Sequence, residues 1–555
     1  MSTSNDGSAE PASPLRRLMR RLRHRTARLP RPPSMRPSGR IRARTKADPD
    51  SGPAGGGKPR FRATPLGLFG IMLAAMFLTL LLIQNFFGTF RPGGEAAKPE
   101  PSPGISAIPP KGTARIMVAG DSISQGSSGD YTWRYRLWKH LSQESRVDVD
   151  FVGPYDDMLD VNNGDYGDHS YADADFDTQH ASVWGATAED IAKGIGEQVV
   201  EYDPHYVLIM AGTNELVTGG TATDALESIR DAVDTARVAR GDVQIVVGEL
   251  TPVWGTGNDD EMNEQVARFN TGLPELASEI SGADSPVVAA YTAEAYSPAE
   301  DNWDTTHPNA RGEVKIAAAF ADALSEHLGL GDPYQRPLPD VEVGPQTRPE
   351  VEAEGTDGGN VRLRWDPVPG ATRYQVLQKR VQPDPDDLVP LPMEVSGTGD
   401  GEKTAVVEKL LSGATYEFVV RPYKGDDAGT PSRPAEIVVD RDPPAAPDWV
   451  RIDDDGPDLV WAAVPEAGHF EVWRRGLECG EPEPAEDAEK DHRECAPPDD
   501  KGPKTGEGWT SVAVVSGERR WTIPGGGPGY EFAVRSHRDY AKGGFSDPIT
   551  FRPDD

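Results

Sequence analysis

Four short blocks hold the side chains that could do chemistry. Gly120-Asp121-Ser122 follows the apolar run Ile116–Ala119, and a polar turn begins there. A serine at the end of a buried strand is either a helix cap or a nucleophile. To act as a nucleophile it needs a base for its proton and donors for the oxyanion formed on attack. Asp304-Thr305-Thr306-His307 could supply the base, because a carboxylate three residues before a histidine can orient the ring and leave the other nitrogen for Ser122. Gly212-Thr213-Asn214, after the apolar run Tyr206–Ala211, places the Asn214 amide at another strand end. Trp184-Gly185-Ala186-Thr187 sets a glycine N–H just ahead of a helix start, where negative charge is well held. Each block alone is weak, since a lone Asp-x-x-His is usually solvated surface and Gly-Thr-Asn is usually a turn. Their order and shared position at strand ends make them specific.

The elements that must position these blocks alternate. Apolar runs at Ile116–Ala119, Val147–Val152, Tyr206–Ala211, Gln244–Gly248 and Val287–Tyr291 predict strands. Amphipathic segments at Trp133–Leu141, Ala188–Val200, Ala222–Ala239, Glu261–Ile280 and Ala310–Leu328 predict helices. Thr187-Ala188-Glu189-Asp190 reads as a capping box with Asp in place of Glu. Strands alternating with helices imply an α/β domain over 113–331, its parallel sheet covered on both faces. Ligands then bind outside the carboxyl ends of the strands, where Ser122 and Asn214 fall. No Gly-x-Ser-x-Gly elbow occurs, which disfavours an ordinary α/β-hydrolase.

With Gly120-Asp121-Ser122, Gly185, Gly212-Thr213-Asn214 and Asp304-x-x-His307 all present, residues 114–330 resemble the SGNH, or GDSL, hydrolases. The resemblance implies a flavodoxin-like three-layer fold. It makes Ser122 the nucleophile, His307 the base and acid, and Asp304 the residue that orients His307. The oxyanion hole would be the Ser122 and Gly185 N–H groups with the Asn214 side chain. Asp150-Phe151-Val152-Gly153, Tyr135-Arg136-Leu137-Trp138 and the Trp184-Gly185 block look like carbohydrate esterases of family 3, the acetylxylan-esterase type. No cofactor or metal is implied.

Beyond a Pro-rich linker at 332–348 the helical period disappears and short strands with turns take over. An internal repeat runs through 349–441 and 442–555. Leu363-Arg364-Trp365 with Tyr374-Gln375-Val376 matches Leu459-Val460-Trp461 with Phe470-Glu471-Val472, and Tyr416-Glu417-Phe418 matches Tyr530-Glu531-Phe532. Each copy reads as a seven-strand sandwich around a buried Trp and resembles a fibronectin type III module, with Tyr416 and Tyr530 in the tyrosine-corner position. The second copy carries an insertion that contains the chain's two cysteines, Cys479 and Cys495. A disulfide between them is expected, stapling the excursion. Two thiols with His492 nearby make an incomplete zinc set.

An Asp-rich stretch, from Asp156 to Asp177, includes Asp160, Asn162 and Asp165, whose oxygens could hold Ca²⁺. EF-hand spacing is absent, and a solvated acidic loop is the plainer reading. His180, shortly before Gly185, is a candidate for the cleft wall.

Charge divides the chain sharply. Residues 1–62 hold 16 Lys/Arg against 4 acids, residues 63–90 are uncharged, and residues 91–555 carry a net charge of −45. The apolar segment Leu66–Phe90 is long enough to span a bilayer, and the basic tail before it stays cytoplasmic by the positive-inside bias. The sequence therefore predicts a disordered cytoplasmic tail, a transmembrane signal anchor at 63–90, a Pro/Gly-rich spacer at 91–112 and an extracellular remainder. The tail has no aromatic or fold support for nucleic-acid binding. The expected function is a membrane-anchored esterase that removes small acyl groups, acetyl foremost, from a glycan. A lipid esterase or acyltransferase of the same fold is the alternative, as is a surface adhesion protein with a vestigial hydrolase domain. The sandwiches would be spacers or binders of glycan or protein.

Overall fold

The computed structural model describes residues 109–480, 495–526 and 529–552. The basic tail and Leu66–Phe90 lie outside the described residues, as does most of the cysteine-bounded insertion. Among the described residues no helix is long and apolar enough to cross a membrane.

The first domain is built on five parallel strands: β1 (Ala114–Gly120), β2 (Val149–Phe151), β6 (Tyr206–Met210), β7 (Gln244–Gly248) and β8 (Val287–Ala290). Their order is β2-β1-β6-β7-β8, the flavodoxin-like winding in which the chain starts inside the sheet and builds outward both ways. Two residues of β5 (Ala181–Ser182) extend the sheet beside the end of β1, and β3 (Met158–Asp160) with β4 (Asp165–Asp168) forms a separate hairpin.

Side-chain alternation sorts the strands onto two cores. Met117, Ala119, Val207 and Ile209 face one layer, packed by Ile195 of α3 (Ala188–Tyr202), Ile229 of α5 (Ala222–Ala239) and Phe269 of α6 (Asp259–Ile280). Ile116, Val118, Tyr206 and Leu208 face the other, packed by Trp133 of α2 (Thr132–Lys139) and Phe320 of α8 (Ala310–Leu328). Trp133 and Phe320 stack at 4.5 Å. Three short helices, α1 (Ser122–Gln125), α4 (Thr213–Val217) and α7 (Pro298–Asp301), sit at the loop ends. The Thr187–Asp190 capping box forms as expected, and Thr221–Asp224 makes a second at the start of α5.

Two all-β modules follow. In the first, β9 (Glu352–Thr356), β10 (Asn360–Trp365) and β13 (Lys403–Val407) form one antiparallel sheet. The second sheet holds β11 (Arg373–Gln382), β12 (Val389–Ser396), β14 (Thr415–Lys424), β15 (Asp427–Ala428) and β16 (Ala435–Val438). Leu363 and Trp365 from one sheet pack on Tyr374, Val376 and Phe418 from the other. The short β15 brings the count to eight strands rather than seven.

The next module repeats the plan, with β17 (Val450–Ile452), β18 (Asp458–Trp461) and β23 (Arg520–Thr522) in one sheet. The other sheet has β19 (His469–Gly476), β22 (Thr510–Ser516), β24 (Tyr530–Arg538), β25 (Ala541–Phe545) and β26 (Ile549–Phe551). In each module the matched tyrosine bonds to backbone a few residues upstream: Tyr416 Oη accepts from Leu411 N–H at 3.2 Å, and Tyr530 Oη donates to Gly526 O at 3.0 Å. Cys479 and Cys495 are disulfide-bonded on the small ribbon β20 (Glu478–Cys479) and β21 (Cys495–Ala496).

Candidate active site

Ser122 sits two residues beyond the end of β1, at the first position of α1. Asp121 caps the helix, its carboxylate accepting the Ile123 N–H at 3.0 Å. Gly120 is required by close approach, since a Cβ there would lie 2.5 Å from Ser124 Oγ and 2.6 Å from the Met210 carbonyl. Arg134, wholly buried on α2, holds the far end of α1 by donating to the Ser124 and Gln125 carbonyls at 2.7 and 3.1 Å. Burial pushes the Asp121 carboxyl up to about 7.

The loop from Asn302 to Asn309 delivers the other two side chains. It closes on itself, with Asn302 bridged to Pro308 and the Trp303 N–H donating to the His307 carbonyl at 3.0 Å. One oxygen of Asp304 accepts the Thr306 and His307 N–H groups at 2.8 and 2.7 Å, and the other meets His307 Nδ1 at 2.7 Å. His307 Nε2 lies 2.9 Å from Ser122 Oγ. Burial alone would raise the Asp304 carboxyl, but the hydrogen bonds from His307 outweigh it and hold the group below its ordinary range. An ionised Asp304 can only accept, so Nδ1 carries the ring proton. Nε2 is then the lone-pair acceptor facing the serine hydroxyl. Trp184 stacks on the imidazole at 4.4 Å and Trp303 at 5.7 Å, restricting its tilt.

Two further groups approach from neighbouring strand ends. Gly185 has a φ of +79°, a conformation that favours glycine although space for a Cβ is open. The turn around it is closed from Ala186 N–H to the Val183 carbonyl, which leaves the Gly185 N–H outside that bond. Gln125 Oε1 fixes the turn by accepting the Trp184 N–H at 2.7 Å. Asn214 Nδ2 donates to the Ala186 carbonyl at 2.9 Å, a bond that uses one of its two hydrogens and ties the Asn214 and Gly185 blocks together.

A small pocket beside Ser122 is walled by Trp184, Trp303, His307, Pro308 and Glu313. Such an arrangement can pass a hydroxyl proton to a ring nitrogen while attacking an electrophilic carbon held in a narrow space.

Other expected site residues are placed differently. His180 does not face the cleft: it is fully buried, with Nδ1 accepting the Ser182 N–H at 3.0 Å and Nε2 2.9 Å from the Asp157 carbonyl. Both nitrogens serve backbone, and burial holds the ring well below its usual range. Asp160, Asn162 and Asp165 do not converge as a ligand set. Asp160 accepts from Asn162 N–H and Asn163 Nδ2, while Asp165 pairs with it across the β3–β4 hairpin. Among the described residues no cluster of three His, Cys, Asp or Glu side chains is placed to hold a metal. Neighbouring acids are spent on the fold: Asp168 takes the Ser128 hydroxyl at 2.6 Å, Asp173 the Tyr135 hydroxyl at 2.6 Å and Asp177 the Phe151 N–H at 2.6 Å. Sequence reasoning missed Gln125 and Arg134. The one signal for Arg134 was a charge between aromatic residues that a helix buries.

Residues 118–314 match the family described as GDSL-like lipase/acylhydrolase. A multidomain esterase of Ruminococcus flavefaciens is 23% identical over 327 residues, covering 56% of this chain and 40% of that protein. The chain thus spans well under half the length of that curated relative. Among solved structures, a carbohydrate esterase of family 3 from Talaromyces cellulolyticus is 26% identical with a TM-score of 0.32, covering 39% of this chain and 98% of that one. A family 3 carbohydrate esterase of Clostridium thermocellum is 22% identical with a TM-score of 0.32 and the same two shares.

Proposed function

We propose that this protein is a serine esterase that removes small acyl groups, acetyl foremost, from a glycan. The observation that carries the reading is the bonded line from Ser122 Oγ through His307 to Asp304, at 2.9 and 2.7 Å. In this mechanism Nε2 takes the hydroxyl proton as Oγ attacks the ester carbonyl, and the imidazolium is stabilised by ionised Asp304. The oxyanion is met by the Ser122 and Gly185 N–H groups and the second hydrogen of Asn214 Nδ2. Each such donor contributes about 10²–10³-fold to turnover. Collapse expels the glycan hydroxyl, which takes the proton from His307. Water, activated by the same ring, then releases the acid from the acyl-enzyme. The narrow pocket bounded by Trp184, Trp303 and Pro308 favours a short acyl group over a lipid chain, and the Ruminococcus flavefaciens relative is itself named an esterase.

We place this domain outside the cell, tethered by the Leu66–Phe90 span with the basic tail in the cytoplasm. The charge asymmetry supports this orientation, and so does the Cys479–Cys495 disulfide, which persists in oxidising compartments. The two C-terminal modules are read as fibronectin type III-like on their paired sheets, buried Trp365 and Trp461, and tyrosine bonds.

The test is substrate preference of the detergent-solubilised full chain. It should release acetate from acetylated xylan and cleave p-nitrophenyl acetate with a kcat/KM at least about tenfold above that for p-nitrophenyl palmitate. Preference for the long chain would favour a lipid esterase. Acyl transfer to an added alcohol in place of acetate release would favour an acyltransferase. Inactivity on every ester would leave the adhesion reading.

A further inference from the structure

The junction between the hydrolase domain and the first β module falls beside the site, and a buried lysine crosses it. Lys424, at the end of β14, is 4% exposed. A buried ammonium is costly unless paired. Its Nζ donates to Ser127 Oγ at 2.6 Å and to Asp130 at 2.5 Å, and it lies 5.0 Å from the centre of the Trp303 ring. These partners belong to two different loops of the hydrolase domain. Ser127 and Asp130 lie in the loop that leaves α1, the helix begun by Ser122. Trp303 lies in the loop that carries Asp304 and His307, and its ring stacks on His307.

Residues around Lys424 fit the same two loops. Gly425, at φ +57°, has no room for a Cβ, which would lie 1.7 Å from the Trp303 carbonyl. Asp427 accepts from Asn309 Nδ2 at 3.0 Å, while Asn309 Oδ1 caps α8 directly after His307-Pro308. On the α1 side, a Cβ on Gly370 would lie 2.2 Å from the Ser128 carbonyl. Other charged groups at the junction are Glu313, which accepts the Thr132 N–H at 2.9 Å, and Arg136, 3.5 Å from Glu313.

We propose that Lys424, supplied by the first β module, is a positioning residue of the esterase site. It holds the loop after Ser122 and the loop bearing His307 in one register, acting through Asp130 and Trp303 without touching the reacting atoms. The inference rests on the esterase reading and extends it: the hydrolase domain and the first module together make the working site. A displacement of about 1 Å in such a constellation can cost about 100-fold in rate.

The experiment uses the full chain in detergent and compares wild type with Lys424→Met, Gly425→Ala, Lys424→Arg and the doubly neutral Lys424→Met/Asp130→Asn. Val514→Ser, on an exposed face of the second module, is the control. Readouts are kcat and KM on p-nitrophenyl acetate well below the melting temperature, the rate of Ser122 labelling by a fluorophosphonate, and the melting temperature itself. Lys424→Met and Gly425→Ala should lower kcat and the labelling rate about 10- to 100-fold with KM changed less than about threefold. Lys424→Arg should recover most of the loss, and Val514→Ser should match wild type. The double variant, with no charge left unpaired, should recover melting temperature without recovering kcat. A folded Lys424→Met or double variant with wild-type kcat overturns the proposal, as does a kcat that follows melting temperature across the set. If wild type itself neither turns over ester nor takes the label, the esterase reading has failed. If wild type works and the variants match it, only the positioning role has failed.

Discussion

The two C-terminal modules use the same hairpin in different ways. Tyr416–Lys424 in the first corresponds to Tyr530–Arg538 in the second, so Gly425 corresponds to Asp539, and both have positive φ, +57° and +49°. Each hairpin reaches back to the domain before it. In the second module, Asp539 accepts the Ser412 N–H at 2.9 Å, the Tyr540 N–H donates to the Ser412 carbonyl at 3.0 Å, and the Tyr540 hydroxyl donates to Asp384 at 3.1 Å. In the first, the side chain at the bend has been removed so that backbone can press on Trp303, and the residue before it carries a buried charge into the hydrolase loops. The backbone turn is shared, and its contents decide the role. The second hairpin makes a joint between modules, and the first joins a module to the loops that carry the candidate site.

This contrast can be broken from the second module's side. Replacing both cysteines, Cys479→Ser with Cys495→Ser, should lower that module's stability by about 3 kcal/mol, by freeing the closed loop in the unfolded chain. Calorimetry should show the second module melting earlier while turnover of p-nitrophenyl acetate is unchanged. A drop in kcat would mean that this module also reaches the site. A smaller effect is expected for Asp539→Ala, which removes one acceptor at the joint and should cost about 1 kcal/mol in denaturant unfolding with kcat retained. If Asp539→Ala lowers kcat as far as Lys424→Met, the distinction between joint and site collapses.

Much of the first domain is legible in the sequence because its signals are local. Tyr206–Met210 is an unbroken apolar strand because both of its faces are covered, and a polar turn marks its end. Ser122 is legible because it lies just beyond such an end, and Asp304 with His307 because the Asp-x-x-His pair is local in the chain. The β3–β4 hairpin is not legible: Asp165-Tyr166-Gly167-Asp168 has little apolar alternation, and cross-strand pairing alone defines it. His180 misleads for a related reason. A polar ring near a glycine block looks like cleft lining, yet two backbone groups satisfy it inside the protein. Lys424 is the extreme case, because nothing in the linear chain connects a strand-end lysine of an all-β module to a histidine loop in another domain. The packing of Gly425 against Trp303 and of Gly370 against Ser128, with the Asn309–Asp427 bond, brings them together.

The central claim is that Ser122 is the nucleophile that His307 and Asp304 activate. A fluorophosphonate offered to the full chain, followed by peptide mass spectrometry, tests it most directly. The account predicts a single adduct on Ser122, none in Ser122→Ala, and labelling slowed about 10⁴-fold in Asp304→Asn, where the ring loses its acceptor and its tautomer. An unlabelled wild type, or an adduct on another residue with Ser122 intact, would contradict it.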